Sequence, residues 1–382
     1  MRRPISYTHQ TSCAVTVAAL AAALLAAAPV SAESAVARWT DIQHTHPADQ
    51  QSYFVDSWSD GTDVWAAGYR RLVLPGVIEW RTWVQRCAVA TATCAAENTL
   101  DIEGAPSVTY LEGVSGTSAT DVWLAGRAER PGVRTLEPLI EHFDGSQWSV
   151  VTTPAVIGGL YGISAVSPDD AWAVGYQRHD TDTRPLVLHW DGARWTEETI
   201  AIPQCSDLQL WDIDATGPRP LAVGACLHDG GTPHASILSR GADSWSAEPI
   251  EGVNPRNLDV QSVNWTGTTA WVGGARRNHG VTLLRGHGTW TSMPTPDQAG
   301  MTYGFAGARS DDVWAVGSFK LHRRTMHWNG TSWDRVADPG AGWLESVSLA
   351  SDGTPWAVGH SYDRLSVIQR YDGHLDHRRR SQ

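Results

Sequence analysis

The chain is poor in several things at once. Its 382 residues include four Phe, four Met and a single Lys, Lys320. Beyond residue 30 no apolar run approaches membrane-spanning length, so no membrane span is expected. No sustained 3.6-residue apolar period occurs either, which excludes a helical core. Gly-x-Ser-x-Gly, His-Glu-x-x-His and a phosphate loop are all missing, so no common hydrolase, metalloprotease or nucleotide signature is present and no cofactor is implied. The formal net charge of −12 argues against a nucleic-acid partner.

In place of these stand twenty Trp, six of them the anchors of one recurring strand. It reads Asp63-Val-Trp-Ala-Ala-Gly68, Asp121-Val-Trp-Leu-Ala-Gly126, Asp170-Ala-Trp-Ala-Val-Gly175, Pro220-Leu-Ala-Val-Gly224, Ala270-Trp-Val-Gly-Gly274, Asp312-Val-Trp-Ala-Val-Gly317 and Pro355-Trp-Ala-Val-Gly359. The anchors Trp65, Trp123, Trp172, Leu221, Trp271, Trp314 and Trp356 recur at a spacing close to fifty residues, which marks a repeat architecture. A second motif follows most anchors, as in His142-Phe-Asp-Gly-Ser-Gln-Trp148, His189-Trp-Asp-Gly-Ala-Arg-Trp195 and His327-Trp-Asn-Gly-Thr-Ser-Trp333. Asp-Gly or Asn-Gly between apolar strands is a hairpin signal. A third apolar stretch precedes each anchor.

Each repeat thus holds four short strands, a to d. Seven repeats of four strands predict an all-β, seven-bladed β-propeller. The anchor strand is apolar on both faces, as suits burial between blades. The Asp two residues before the anchor Trp is expected to be a turn residue bonding its own backbone. The hairpin residues His142, His189 and His327 recur with the repeat and are expected to be structural. The last repeat lacks a strand after Asp372-Gly373, whereas Ala37–Ile42, containing Trp39, is an orphan strand d. Pairing Ala37–Ile42 with Leu365–Tyr371 would close the ring and remove the sheet edges.

Residues 1–32 have the form of a secretory signal: Arg2-Arg3, an apolar run from Ala14 to Val30 and a small-residue cleavage site at Val30-Ser-Ala32. The propeller is expected over 33–375, with a basic tail at 376–382. Four Cys follow the signal, an even number in an exported chain. Hairpin geometry predicts the disulfides Cys87–Cys94 and Cys205–Cys226. Zinc is the alternative, but tight C-x-x-C spacing is missing and no metal site is expected.

The repeats resemble a group of secreted bacterial β-propeller proteins, common in actinobacteria, built from Asp-x-Trp-Ala-Val-Gly strands and His-Trp-Asp-Gly-x-x-Trp hairpins. The resemblance covers essentially all of residues 37–373. It implies the fold and export, and carries no assigned activity.

One pattern points beyond structure. The b–c loops, which share a face of the disc with the d–a loops, begin after each anchor Gly. They are expected to hold Tyr69, Arg70 and Arg71; Arg127; Tyr176 and Arg178; Arg276 and Arg277; Lys320, Arg323 and Arg324; and His360, Tyr362 and Arg364. The opposite face receives Asp-rich turns. A basic rim on an acidic protein would attract an anionic or hydroxyl-rich ligand. The channel mouth on the same face is formed by the starts of the a strands, where Tyr53, Glu112, Tyr161, Trp211, Asp259, Tyr303 and Glu345 are expected. Aromatic faces beside carboxylates suit a glycan or a cell-surface protein partner. The chain is therefore expected to be a secreted binding module. The alternative is an extracellular carbohydrate-active hydrolase or lyase using Glu112 and Glu345 as acid and base.

Overall fold

The computed structural model describes residues 38–373, apart from 47–50, 98, 100–107, 130–134, 180–181, 202–206, 229–231, 251–252, 278, 287, 297–298 and 337–339. The expected signal at 1–32 and tail at 376–382 lie outside the described residues. Seven antiparallel sheets follow one another along the chain and form a seven-bladed β-propeller. In blade 2, for example, strand a is Thr109–Ser118, b is Asp121–Glu129, c is Leu136–Phe143 and d is Trp148–Val150. Blade 4 carries a fifth, two-residue strand, Ile200–Ala201, parallel to its outer edge.

The ring closes as the orphan strand implied. Trp39–Asp41 is strand d of blade 7, with Trp39 opposite Tyr371 and Asp41 opposite Gln369. The pairing continues through the Ile42 N–H, which donates to the carbonyl of Ile368 at 2.8 Å.

Each anchor Trp is buried against the following blade. Five of these contacts are edge-on to the Trp that opens the next strand d: Trp65 to Trp148, Trp123 to Trp195, Trp172 to Trp245, Trp271 to Trp333 and Trp314 to Trp39, with ring centroids 5.2–6.0 Å apart. In the degenerate repeat Leu221 packs in one cluster with Trp290 of blade 5. At the remaining junction, blade 1 has no such Trp. Trp356 packs instead in a cluster that contains Cys87 and borders Cys94. Cys87 and Cys94 are cross-strand partners joined by a disulfide, so a covalent link occupies the place of a ring. Cys226 is also disulfide-bonded; its expected partner, Cys205, lies outside the described residues.

The Asp before the anchor does more than shape a turn, which corrects that expectation. Asp121, Asp170 and Asp312 each meet a hairpin His on strand c: His142 at 2.6 Å, His189 at 2.9 Å and His327 at 2.7 Å. Each His ring also lies on the anchor indole, 3.9 Å away for Trp172 and 4.0 Å for Trp123. Asp63, whose repeat has no His, binds Arg86 instead. The reason is geometric: Asp121 is on strand b and its side chain reaches across the sheet to strand c. The residues of the Asp-Gly hairpins do cap their own turns, Asp144 accepting from the N–H groups of Ser146 and Gln147.

The anchor Gly is fixed by strand a. Every strand a carries a β-bulge at the same place, between Leu111 and Gly113 in blade 2. A Cβ at Gly126, which pairs with Leu111, would overlap the carbonyl oxygen of Tyr110.

Candidate functional site

The bulges make the site. The extra residue in each strand a is Val55, Glu112, Tyr161, Trp211, Gln261, Tyr303 and Glu345 in blades 1 to 7. All seven line one central cavity of about 300 Å³, which runs from this ring along the a strands toward the a–b turns, as far as Trp58, Gly116 and Thr216. Glu112, Tyr161, Trp211, Tyr303 and Glu345 thus meet as expected.

Tyr53 and Asp259 do not occupy this ring; they lie two residues earlier in their strands. Blades 2, 3 and 6 carry a second irregularity near the a–b turn, which lengthens strand a, and blades 1 and 5 lack it. In blades 1 and 5 the bulge residues are Val55 and Gln261. Tyr53 instead joins an aromatic group above the mouth. Its ring lies 5.3 Å from Tyr69 and 5.0 Å from His360, and Tyr69 lies 4.9 Å from Tyr110.

The first residue after each anchor Gly is still in strand b, opposite strand a, and forms the layer above the bulge. This position holds Tyr69, Arg127, Tyr176, Ala225, Ala275, Ser318 and His360. Tyr176 stacks on Tyr161 at 5.6 Å, and Tyr161 meets Trp211 at 4.9 Å. Arg127 binds Glu112 at 2.8 Å, and its guanidinium lies over Tyr110 and Tyr161 at 5.0 and 5.1 Å. Glu345 faces His360, with Oε1 to Nδ1 at 3.6 Å. Burial pushes the Glu112 carboxyl up to about 7 against the pull of Arg127. Burial also raises Glu345 to about 7, and the charge of Glu112 adds to it. His360 is driven down to about 4 by burial and by the Arg323 charge, so it is neutral at pH 7.

Deeper in the channel, the residue after the bulge is Asp in blades 1 and 4. The Asp56 carboxylate accepts from the Val114 N–H of blade 2 and the Ser346 hydroxyl of blade 7, both at 2.8 Å. Asp212 accepts from the Val263 N–H of blade 5 at 2.8 Å. Burial raises them to about 6 and about 8. These inter-blade ties are not visible in the repeat, because only two of the seven blades carry them.

The rim arginines divide. Arg178 and Arg277 are exposed. Arg70 lies over Trp83 at 5.0 Å, and Arg276 donates to the carbonyl of Asn254. Arg323 and Arg324 are only 5% and 7% exposed. The correction has a simple cause. Lys320 and Leu321, both with positive φ, are the whole b–c turn of blade 6, and strand c begins at His322. Blade 1 has the opposite character: Asp63–Leu74 and Val77–Ala88 form a long hairpin whose tip exposes Val73, Leu74, Val77 and Ile78. Among the described residues no group of three or more His, Cys, Asp or Glu could hold a metal ion.

No family model matches the chain, and no curated protein matches it. Solved structures do. YCF48 bound to a D1 peptide is similar at 15% identity and a TM-score of 0.57, over 88% of this chain and 97% of that one. A streptogramin B lyase follows at 12% and 0.55, over 88% and 98%. The WD40 β-propeller domain of Doa1 gives 12% and 0.54, over 87% and 97%. At these identities the likeness concerns the fold alone.

Proposed function

We propose that the chain is an exported binding module that captures a cell-surface partner on the b–c face by inserting a side group of that partner into the channel mouth. One observation carries this reading. The same bulge in every blade sends Glu112, Tyr161, Trp211, Tyr303 and Glu345 into one cavity of about 300 Å³. A concave site with aromatic walls and a few convergent polar groups is the usual form of a binding site. Its size suits a peptide side chain or a sugar ring. Among the structural neighbours, one is bound to a peptide and one is a lyase, so this fold serves both binding and chemistry.

The lyase or hydrolase alternative draws on the two carboxyls at about 7, values suited to proton transfer near neutral pH. Binding is favoured because Glu112 is held by Arg127 at 2.8 Å, whereas Glu345, the other carboxyl among the seven bulge residues, has only a neutral His360 beside it.

The test is a screen of the protein against glycan and peptide arrays, followed by titration of the hits into the native chain and Trp211→Ala. Loss of at least about tenfold in affinity, with folding retained, is expected for an aromatic anchor. Hits that bind Trp211→Ala as well as the native chain would place recognition elsewhere.

A further inference from the structure

Blades 2 and 7 carry the same pair of repeat positions with one difference. In blade 2 the bulge residue Glu112 lies under Arg127, the residue after the anchor Gly. In blade 7 the bulge residue Glu345 lies under His360, again the residue after the anchor Gly. Arg127 supplies Glu112 with a cation at 2.8 Å and places that cation on the faces of Tyr110 and Tyr161. His360 supplies none. Its ring is packed flat on Trp343 at 4.9 Å and edge-on to Tyr53 at 5.0 Å, and its Nδ1 is buried without a hydrogen-bond partner. Among the described residues Glu345 has no other ion-pair partner. It nevertheless opens on the cavity, with Tyr303 on the same wall.

We propose that the mouth binds a lysine side chain of a peptide partner, its ammonium taking beside Glu345 the place that the Arg127 guanidinium holds beside Glu112. This rests on the binding reading above and names the inserted group. The chemistry is that of blade 2 repeated with an external cation: a carboxylate to pair with, and aromatic faces that attract positive charge. A sugar hydroxyl would gain neither the charge pairing nor the aromatic attraction in the same degree. Leaving a buried carboxyl without a cation costs stability, which binding then recovers.

The pH dependence follows from the surroundings. The groups that act on Glu345 are Glu112 from blade 2, Tyr69 from blade 1, Tyr303 from blade 6 and His360 from its own blade. None is a cation at neutral pH, so the free carboxyl holds its proton up to about 7. A bound ammonium favours the ionised form. Binding near pH 7 therefore releases a proton, and affinity should drop about tenfold from pH 8 to pH 6.

The experiment titrates a blocked Ala-Lys-Ala tripeptide into the full chain by calorimetry at pH 8. The comparison probe carries Nε-acetyl-lysine, and each titration is repeated in two buffers of different ionisation enthalpy. The expected result is binding of the lysine probe alone, with proton release near pH 7. Glu345→Gln should weaken it more than tenfold. His360→Arg should do the same, by supplying the missing cation from within. Glu345→Gln removes an uncompensated carboxylate from the mouth, and its melting temperature should be at or above the parent's. Equal binding of the acetylated probe, or lysine binding unchanged in Glu345→Gln or His360→Arg, overturns the proposal. A neutral glycan that binds through Trp211 while the lysine probe does not would overturn it too, yet leave the binding module standing. Loss of every ligand from the mouth would remove both.

Discussion

The indole of Trp39, near the start of the propeller, meets that of Trp314 edge-on at 5.8 Å and 86°. Trp39 also pairs in register with Tyr371 and donates its indole N–H to the Thr325 hydroxyl at 3.1 Å. The N-terminal strand therefore completes blade 7 and at the same time fills the junction with blade 6. Trp39→Ala should cost about 3–5 kcal/mol, the range for emptying a buried Trp site. Equilibrium denaturation would measure it. A loss below about 1 kcal/mol would mean that the ring is held closed without this contact.

The Cys87–Cys94 bridge sits where the six other junctions have the Trp of a strand d. Its loop is short, with a sequence separation of 7, so chain entropy contributes about 2 kcal/mol. Reduction should also loosen the packing around Trp356. Cys94→Trp in a Cys87→Ala background should restore part of the loss if the bridge substitutes for a ring. Stability no better than that of Cys87→Ala, Cys94→Ala would reject this.

Much of this was legible in the sequence because the repeat is written in residues that the fold needs at fixed places. The anchor Gly is required by the approach of strand a, and the anchor Trp by the next blade. The closure was readable from Trp39, a strand d without a blade. The channel ring was readable only in part. Its register depends on which residue of strand a is the bulge, and the bulge leaves no residue signature. That is why Tyr53 was expected where Val55 stands. The basic stretch Lys320–Arg324 looked like an exposed loop because charge suggests solvent. Two residues suffice for that turn, so Arg323 and Arg324 already belong to a strand between packed blades. The inter-blade ties of Asp56 and Asp212 were hidden, since nothing in a sequence reports which N–H lies across a channel.

Those ties give an inverted pH profile. Asp56, Asp212, Glu112 and Glu345 all have folded values raised by burial, to between about 6 and about 8. The folded chain then keeps protons that the unfolded chain has lost, so stability falls as pH rises through these values. The histidines work the other way: His360, His44 and His46 are lowered, but above about pH 6.5 they are neutral in both states. The clean window is therefore pH 6.5 to 8.5. Each proton that the folded chain still holds there and the unfolded chain has lost should lower the unfolding free energy by up to about 1.4 kcal/mol per pH unit. Denaturant titrations across the window would show it, and Asp212→Asn should flatten the slope. A flat or rising profile would contradict the raised values.

The rim arginines separate into two classes that mutagenesis can tell apart. Arg323 is 5% exposed and lies 4.0 Å from Asp41 of the closing strand, so its charge is part of the junction between blades 6 and 7. Arg323→Ser should destabilise by about 1–3 kcal/mol, as expected for cutting a buried network. Arg178 and Arg277 are exposed and lie on blades 3 and 5. Replacing both with Ser should shift stability by no more than about 0.5 kcal/mol. If these two charges help to hold an acidic or hydroxyl-rich part of the partner, the double variant should bind it several-fold more weakly at low salt. The difference should vanish as salt rises, because exposed charges are screened within about 8 Å at physiological ionic strength. Binding of a full partner that is identical in the two proteins at low salt would confine recognition to the channel mouth and leave Arg178 and Arg277 as solubilising charges.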